Sequence, residues 1–274
     1  MLFGERGIEI KSPDQIAKMR VAGLLVGRTL ELIREAVRPG VTTGSLDALA
    51  EDTIRSGGGI PSFLGYGYPP FPATICASVN DEVVHGIPGP RELREGDLVS
   101  IDCGAIVDGW HGDAAVTVPV GDVAPELLAL SQVTRDSLVA GIAAAQPGAR
   151  VGDVGRAVSG VVEAAAADHR ADYGVVIGYT GHGIGTAMHM PPDVPNYGRS
   201  GTGPVLQVGM AIAIEPMVTL GDPDTDVLAD DWTVVASSGS IAAHWEHTVA
   251  ITEAGPWVLT AHDGGDMLTG DPLA

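Results

Sequence analysis

The chain has 274 residues, 45% apolar and 18% charged, with 38 glycines, 19 prolines and a formal charge of −20 at pH 7. That length holds one or two domains and buries a sizeable core without disulfides, and the composition excludes a globally disordered chain. The negative charge repels phosphate backbones and anionic lipid heads, so neither nucleic acid nor a membrane surface is expected as a partner.

Two cysteines, Cys76 and Cys103, make no disulfide framework and no cysteine-ligated zinc site. The opening MLFGERGIEIKSPDQ carries charges where a secretory core would stand, and the most apolar stretch, VLQVGMAIAIEPMV, is broken by Gln207 and Glu215. A cytoplasmic location is expected, with no membrane span.

After an arm over residues 1–12, apolar or small residues at Ile16, Met19, Gly23, Val26, Leu30, Ile33 and Val37 predict a helix over 13–37. Ser12 caps it, with Pro13 at the first position and Gln15 three residues after the cap, and Pro39-Gly40 stops it. A second helix is predicted from Leu46 to Arg55, ended by Gly57-Gly58-Gly59. A loop rich in Pro, Gly and aromatics follows over 61–72. ATICASVN and LVSIDCGAIVDGWHGDAAVTV then alternate with period two and read as strands.

The plan then restarts. Pro125–Ala145 and Asp153–Ala167 read as helices with Pro147-Gly148 between them. Pro39-Gly40 and Gly44 recur as Pro147-Gly148 and Gly152 at an offset of 108, and Gly96-x5-Asp102 recurs as Gly209-x5-Glu215 at an offset of 113. The expected architecture is α+β in a single catalytic domain spanning 1–274. Its duplicated halves, approximately 13–120 and 121–260, share one curved antiparallel sheet with helices on one face.

Asp108-Gly109 is a strong hairpin turn, since both central positions of a type I′ turn need positive φ. It pairs Val107 with Trp110 and sets Asp113 opposite Gly104. Asp102, two residues from Gly104, shares that face as a diagonal neighbour about 7–8 Å away. Two carboxylates so placed disfavour each other's ionisation, which a divalent cation relieves; two solvated acids on an open face are the alternative left standing. Glu215 ends an apolar run in MAIAIEP, held extended by Pro216, and Glu246 lies inside the alternating strand HWEHTVAIT. His182 sits in TGHGIG, read as a glycine-rich loop bending round a bound group. Four carboxylates and one imidazole suit two octahedral-type divalent ions.

Asp102 and Asp113 in IDCGAIVDGWHGD, His182 in GHGIG, Glu215 in IEPM, Glu246 in WEHT and the segment CASVNDEVVHGIP around His85 closely resemble the type I methionine aminopeptidases. The resemblance runs from about residue 13 to 260 and implies the pseudo-twofold pita-bread fold, with helices packed on the outer face of the sheet. It implies removal of the N-terminal initiator methionine from nascent proteins when the second residue is small. Asp102 and Asp113 would bind one ion, Asp113, His182, Glu215 and Glu246 the other, with Asp113 and Glu246 shared. The two divalent ions could be Co, Mn, Fe, Zn or Ni.

By the same similarity a water between the ions is the nucleophile, Glu215 also moves its proton, His189 donates to the substrate carbonyl and His85 reaches the scissile amide. Phe63, Tyr66, Cys76, Met188 and Trp232 are expected around the methionine side chain. The loop YGYPPFPATIC departs from the shorter, histidine-bearing loop of many members, Met188 replaces an aromatic, and Met190-Pro191 replaces an acidic pair. Partners implied are the N-terminal methionine of nascent chains and the ribosome near its exit tunnel, with the enzyme a monomer.

His111, His169, His244, His247 and His262 read as structural or solvated, and Cys103 as buried packing. An Xaa-Pro peptidase on the same fold and a metal-free binding module are the rival readings. The first usually carries a further N-terminal domain, and the second would have lost a ligand that this chain retains.

Overall fold

The structure is a computed structural model, described here for residues 7–169 and 172–265, apart from the side chain of His169. Among these residues no helix is long and apolar enough to cross a membrane. In chain order the first half holds α1 (Pro13–Ala36), α2 (Thr43–Ser56), β1 (Ile60–Pro61), β2 (Ile75–Val79), β3 (Glu82–Val84), β4 (Leu98–Val107) and β5 (Trp110–Pro119). Next come α3 (Pro125–Ala144), α4 (Val151–His169), β6 (Tyr173–Val175), β7 (Gly181–Gly183), β8 (Met190–Val194), β9 (Ala211–Ile214) and β10 (Met217–Leu220). The last elements are β11 (Thr225–Val227), β12 (Val234–Ala236), β13 (Ala242–His244), β14 (Glu246–Thr252) and β15 (Gly255–Val258).

Helix α1 starts where its signals place it. The Ser12 hydroxyl accepts from Gln15 N while the Gln15 side chain accepts from Ser12 N, a complete capping box. Helix α2 begins three residues earlier than the apolar pattern indicated, because Thr42 caps it through Ser45 N. Periodicity finds the packed stretch of a helix, and the cap then adds a polar first turn.

The main sheet is antiparallel in the order β1-β4-β5-β14-β9-β7-β8, with β2 also on β4 and β15 also on β14. Along β4, Val99, Ile101, Cys103 and Ala105 join Val26, Leu30, Ile33, Leu46 and Ile54 of α1 and α2 in one apolar cluster. Along β9 and β14, Ile212, Ile214, Val249 and Ile251 join Leu138, Ile142, Val154 and Val158 of α3 and α4 in another. The helices therefore cover one face of the curved sheet. Period-two alternation sends Asp102, Asp113, Glu215 and Glu246 to the other face. Two three-stranded sheets, β13-β10-β6 and β11-β12-β3, pack through a third cluster around Val83, Val84, Val176, Met217 and Val234.

Candidate metal centre and substrate pocket

The β4–β5 hairpin has the predicted register. Asp108 and Gly109 form the turn at φ 49° and 80°, Val107 pairs with Trp110, and Gly104 lies opposite Asp113. The register then runs on across three strands, with Ala115 opposite Asp102 on one side and Glu246 on the other. A small residue at that central position leaves room for the acids around it. On β14, His247 pairs with Ile214, so Glu215, the next residue beyond β9, comes up beside Glu246.

His182 arrives by a different route from the one read in the sequence. Gly181–Gly183 is strand β7, and none of its residues has positive φ. The glycines are required by close approach, since a Cβ on Gly181 would lie 2.3 Å from Ala213 O and one on Gly183 2.2 Å from Pro191 O. His182 Nδ1 donates to Gly183 O at 3.0 Å, which leaves the Nε2 lone pair facing the acids, 3.5 Å from Glu215 Oε1.

One atom each from Asp113, His182 and Glu246 lie within 4.8 Å of one another, all three residues being buried. Asp102, Glu215, His85 and His189 line the same cavity of about 260 Å³, together with Phe63, Tyr66, Phe71, Cys76 and Trp232. Asp102 Oδ1, Asp113 Oδ1 and Glu246 Oε1 are buried without a hydrogen-bond partner among the described residues. Buried carboxylate oxygens left unpaired are costly, and their convergence on one imidazole lone pair is the donor set a divalent cation satisfies.

Without such a cation burial raises the proton affinity of all four acids. Burial raises Asp102 to about 7. Burial, then the charges of Glu246 and Asp102, holds Asp113 well above the carboxylate range. Glu215 is raised by burial and by Asp102 and Asp113, and Glu246 by burial, Glu215 and Asp102. The imidazoles shift the opposite way. Burial, with His189 nearby, lowers His182 to about 3 and His85 to about 4, and burial alone lowers His189. Neutral imidazoles ligate and hydrogen-bond without competing protons.

His85 follows β3 at φ 60°, a conformation uncommon outside glycine, with its ring against Tyr179 and Trp232. His189 lies against His182 with ring centroids 4.2 Å apart and planes tilted by 54°, and its Nδ1 lies 2.6 Å from the Tyr66 hydroxyl. Trp232 is anchored by Nε1 donating to Pro69 O and by an edge contact with Phe71. Cys76 keeps its proton, its thiol pushed up by burial and by Asp102.

Met188 does not belong to the pocket lining, contrary to expectation. It is 2% exposed and packs with Phe63, Phe71, Ala73 and Cys76 behind the wall. Phe71 takes a lining place the sequence reading left open. His244, read as structural or solvated, is buried behind Glu215, outside the cavity lining. Its Nε2, buried and without a hydrogen-bond partner among the described residues, lies 3.9 Å from Glu215 Oε2. The usable signal was its separation of two from Glu246, which puts both on one face of an alternating run.

The remaining histidines, like His244, stand apart from the lining. His111 Nδ1 meets Ser62 Oγ at 3.1 Å, His247 Nδ1 meets Thr260 Oγ1 at 2.8 Å, and exposed His262 faces Glu31. The side chain of His169 lies outside the described residues. Cys103 packs in the apolar cluster under α1 and α2.

The model of metallopeptidase family M24 matches residues 17–253. The chain is 53% identical over 261 residues to methionine aminopeptidase 1 of Mycobacterium tuberculosis, covering 94% of this chain and 97% of that protein. It is 50% identical over 254 residues to the methionine aminopeptidase of Clostridium acetobutylicum, covering 92% and 98%. The crystal structure of methionine aminopeptidase from Rickettsia prowazekii superposes with a TM-score of 0.88 at 43% identity, covering 93% of this chain and all of that one.

Proposed function

The chain belongs to metallopeptidase family M24, and from that premise we propose that it is a methionine aminopeptidase, removing the initiator methionine from nascent proteins and peptides whose second residue is small. The observation that carries this reading is the meeting of orphaned buried carboxylates with a small, largely aromatic cavity. At about 260 Å³ the cavity is below the roughly 300–1,000 Å³ of drug-sized sites, a size suited to one side chain.

Asp102, Asp113, His182, Glu215 and Glu246 would hold two divalent ions, with Asp113 and Glu246 shared. When bound, such ions supply Lewis acidity that makes water nucleophilic at neutral pH. Glu215 takes a proton from the attacking water and passes it to the departing amine. His189 donates to the carbonyl oxygen as charge develops there, and His85 binds the scissile amide. Phe63, Tyr66, Phe71, Cys76 and Trp232 enclose the methionine side chain and exclude water from it.

The same proposal makes residues 13–120 and 121–260 two copies of one plan in a single catalytic domain. The mirrored strand order β4-β5-β14-β9 supports it, with Asp102 and Asp113 answering to Glu215 and Glu246. A cytoplasmic monomer acting on chains leaving the ribosome is the proposed setting.

The test compares Met-Ala-Ser with its N-acetylated form, using protein purified without added metal and analysed for metal content. Cleavage of the free peptide alone, by protein carrying or requiring close to two divalent ions, is the expected result. Equal cleavage of the acetylated peptide would exclude an aminopeptidase.

A further inference from the structure

We propose that Tyr66 is a positioning residue that sets the tautomer of His189, so that Nε2–H rather than a bare lone pair faces the reacting carbonyl. The proposal rests on the reading of His189 as donor to that carbonyl. A neutral imidazole has one donor and one acceptor nitrogen, and the bond made by one decides the role of the other. Here the hydroxyl of Tyr66 lies 2.6 Å from His189 Nδ1.

Two directions are possible for that bond, and the chemistry separates them. A phenol is far more acidic than a neutral imidazole N–H, and an imidazole nitrogen is more basic than a phenol oxygen. Tyr66 therefore donates and Nδ1 accepts, which leaves the ring proton on Nε2.

The surrounding loop holds the phenol in place. Tyr66 N donates to Phe63 O, Gly65 N to Phe71 O and Phe71 N to Tyr66 O, each at 2.8 Å, and Trp232 Nε1 ties Pro69 O from across the pocket. Gly65 and Gly67, at φ 84° and 74°, give the turns on either side of Tyr66. On its other side His189 rests against His182. The ring is thus fixed between a hydroxyl and a ligand imidazole, with its Nε2 edge left for substrate.

The test uses full-length protein labelled with ¹⁵N at histidine and loaded with zinc, comparing wild type with Tyr66→Phe, which keeps the ring. We expect the wild-type His189 resonances to show the proton on Nε2, and those of Tyr66→Phe to show a mixture of tautomers. On Met-Ala-Ser, kcat should fall about tenfold with KM unchanged, the effect of losing one hydrogen bond. His189→Ala alone and the double variant should then be equally slow, since Tyr66 acts only through that imidazole. A wild-type proton on Nδ1, an unchanged tautomer in Tyr66→Phe, or additive losses would overturn the proposal. Wild-type turnover in His189→Ala would overturn the underlying reading of His189, whatever tautomer the spectra show.

Discussion

Removing the metal should turn the site into a pH-dependent liability, and Asp102 sets the size of the effect. Its carboxyl moves from an ordinary 3.8 to about 7 because burial opposes its charge. Each tenfold change in proton affinity is worth about 1.4 kcal/mol, so holding that proton over the interval amounts to about 4 kcal/mol. A raised carboxyl stabilises the fold fully below its unfolded value, and that contribution is lost as pH rises through the folded value. Metal-free protein should therefore lose stability from Asp102 between about pH 4 and pH 7.

The histidines act in the opposite sense. His182 and His244 are lowered to about 3 and His85 and His247 to about 4, so their contribution is present above 6.5 and is lost as pH falls. Comparing wild type with Asp102→Asn cancels this background. Because Asp102 and Asp113 influence each other's ionisation, the comparison reports the pair rather than one carboxyl. The assay is urea denaturation of chelator-treated protein at intervals from pH 4 to 7.5. Wild type should fall relative to the variant by about 4 kcal/mol across that range. Divalent cation at a hundredfold excess over its dissociation constant should then return about 2.7 kcal/mol per site at pH 7. Parallel stability curves for the two metal-free proteins would refute the reasoning.

Asp113→Asn and Glu246→Gln should each abolish turnover of Met-Ala-Ser and lower bound metal measured by mass spectrometry, because each removes charge from a residue assigned to both ions. Normal rates with full metal would remove the two-ion assignment. Gly181→Ala should destabilise the protein by at least about 2 kcal/mol in denaturant, as its Cβ would lie 2.3 Å from Ala213 O; a change below 0.5 kcal/mol, within the range of surface substitutions, would show that β7 shifts easily. Residue 2 lies outside the described residues, and the prediction there rests on the small-residue rule alone. Leu2 should protect Met1, so intact mass should show Met1 retained in wild type and lost in Leu2→Ala.

The acids were legible because local rules place them. Asp108-Gly109 admits one tight turn, and alternation then sets Asp113 beside Asp102 with no long-range information. Pro216 and an apolar run similarly mark Glu215 as the polar end of a buried strand. Legibility fails where a residue's role depends on what lies across the sheet. The glycines flanking His182 look like bending glycines in sequence, but in space they admit the backbones of β8 and β9. Nothing near Tyr66 announces His189, 123 positions away, because the contact exists only once loop 61–72 folds over the pocket. Met188, expected in the lining, and Phe71, left unplaced, part for the same reason: apolar composition marks both as buried, and only packing separates lining from support.

The pairing of β5 with β14 also joins acids from distant parts of the chain. Thr248 Oγ1 donates to Asp113 O and accepts from Asp113 N, joining positions 135 residues apart. Contacts so distant in the chain close late, after the loop entropy between them has been overcome. Neither half alone presents the full set of acids. On the proposed assignment, a chain synthesised only as far as α4 carries Asp102 and Asp113 without Glu215 and Glu246, and so lacks part of the metal-holding set.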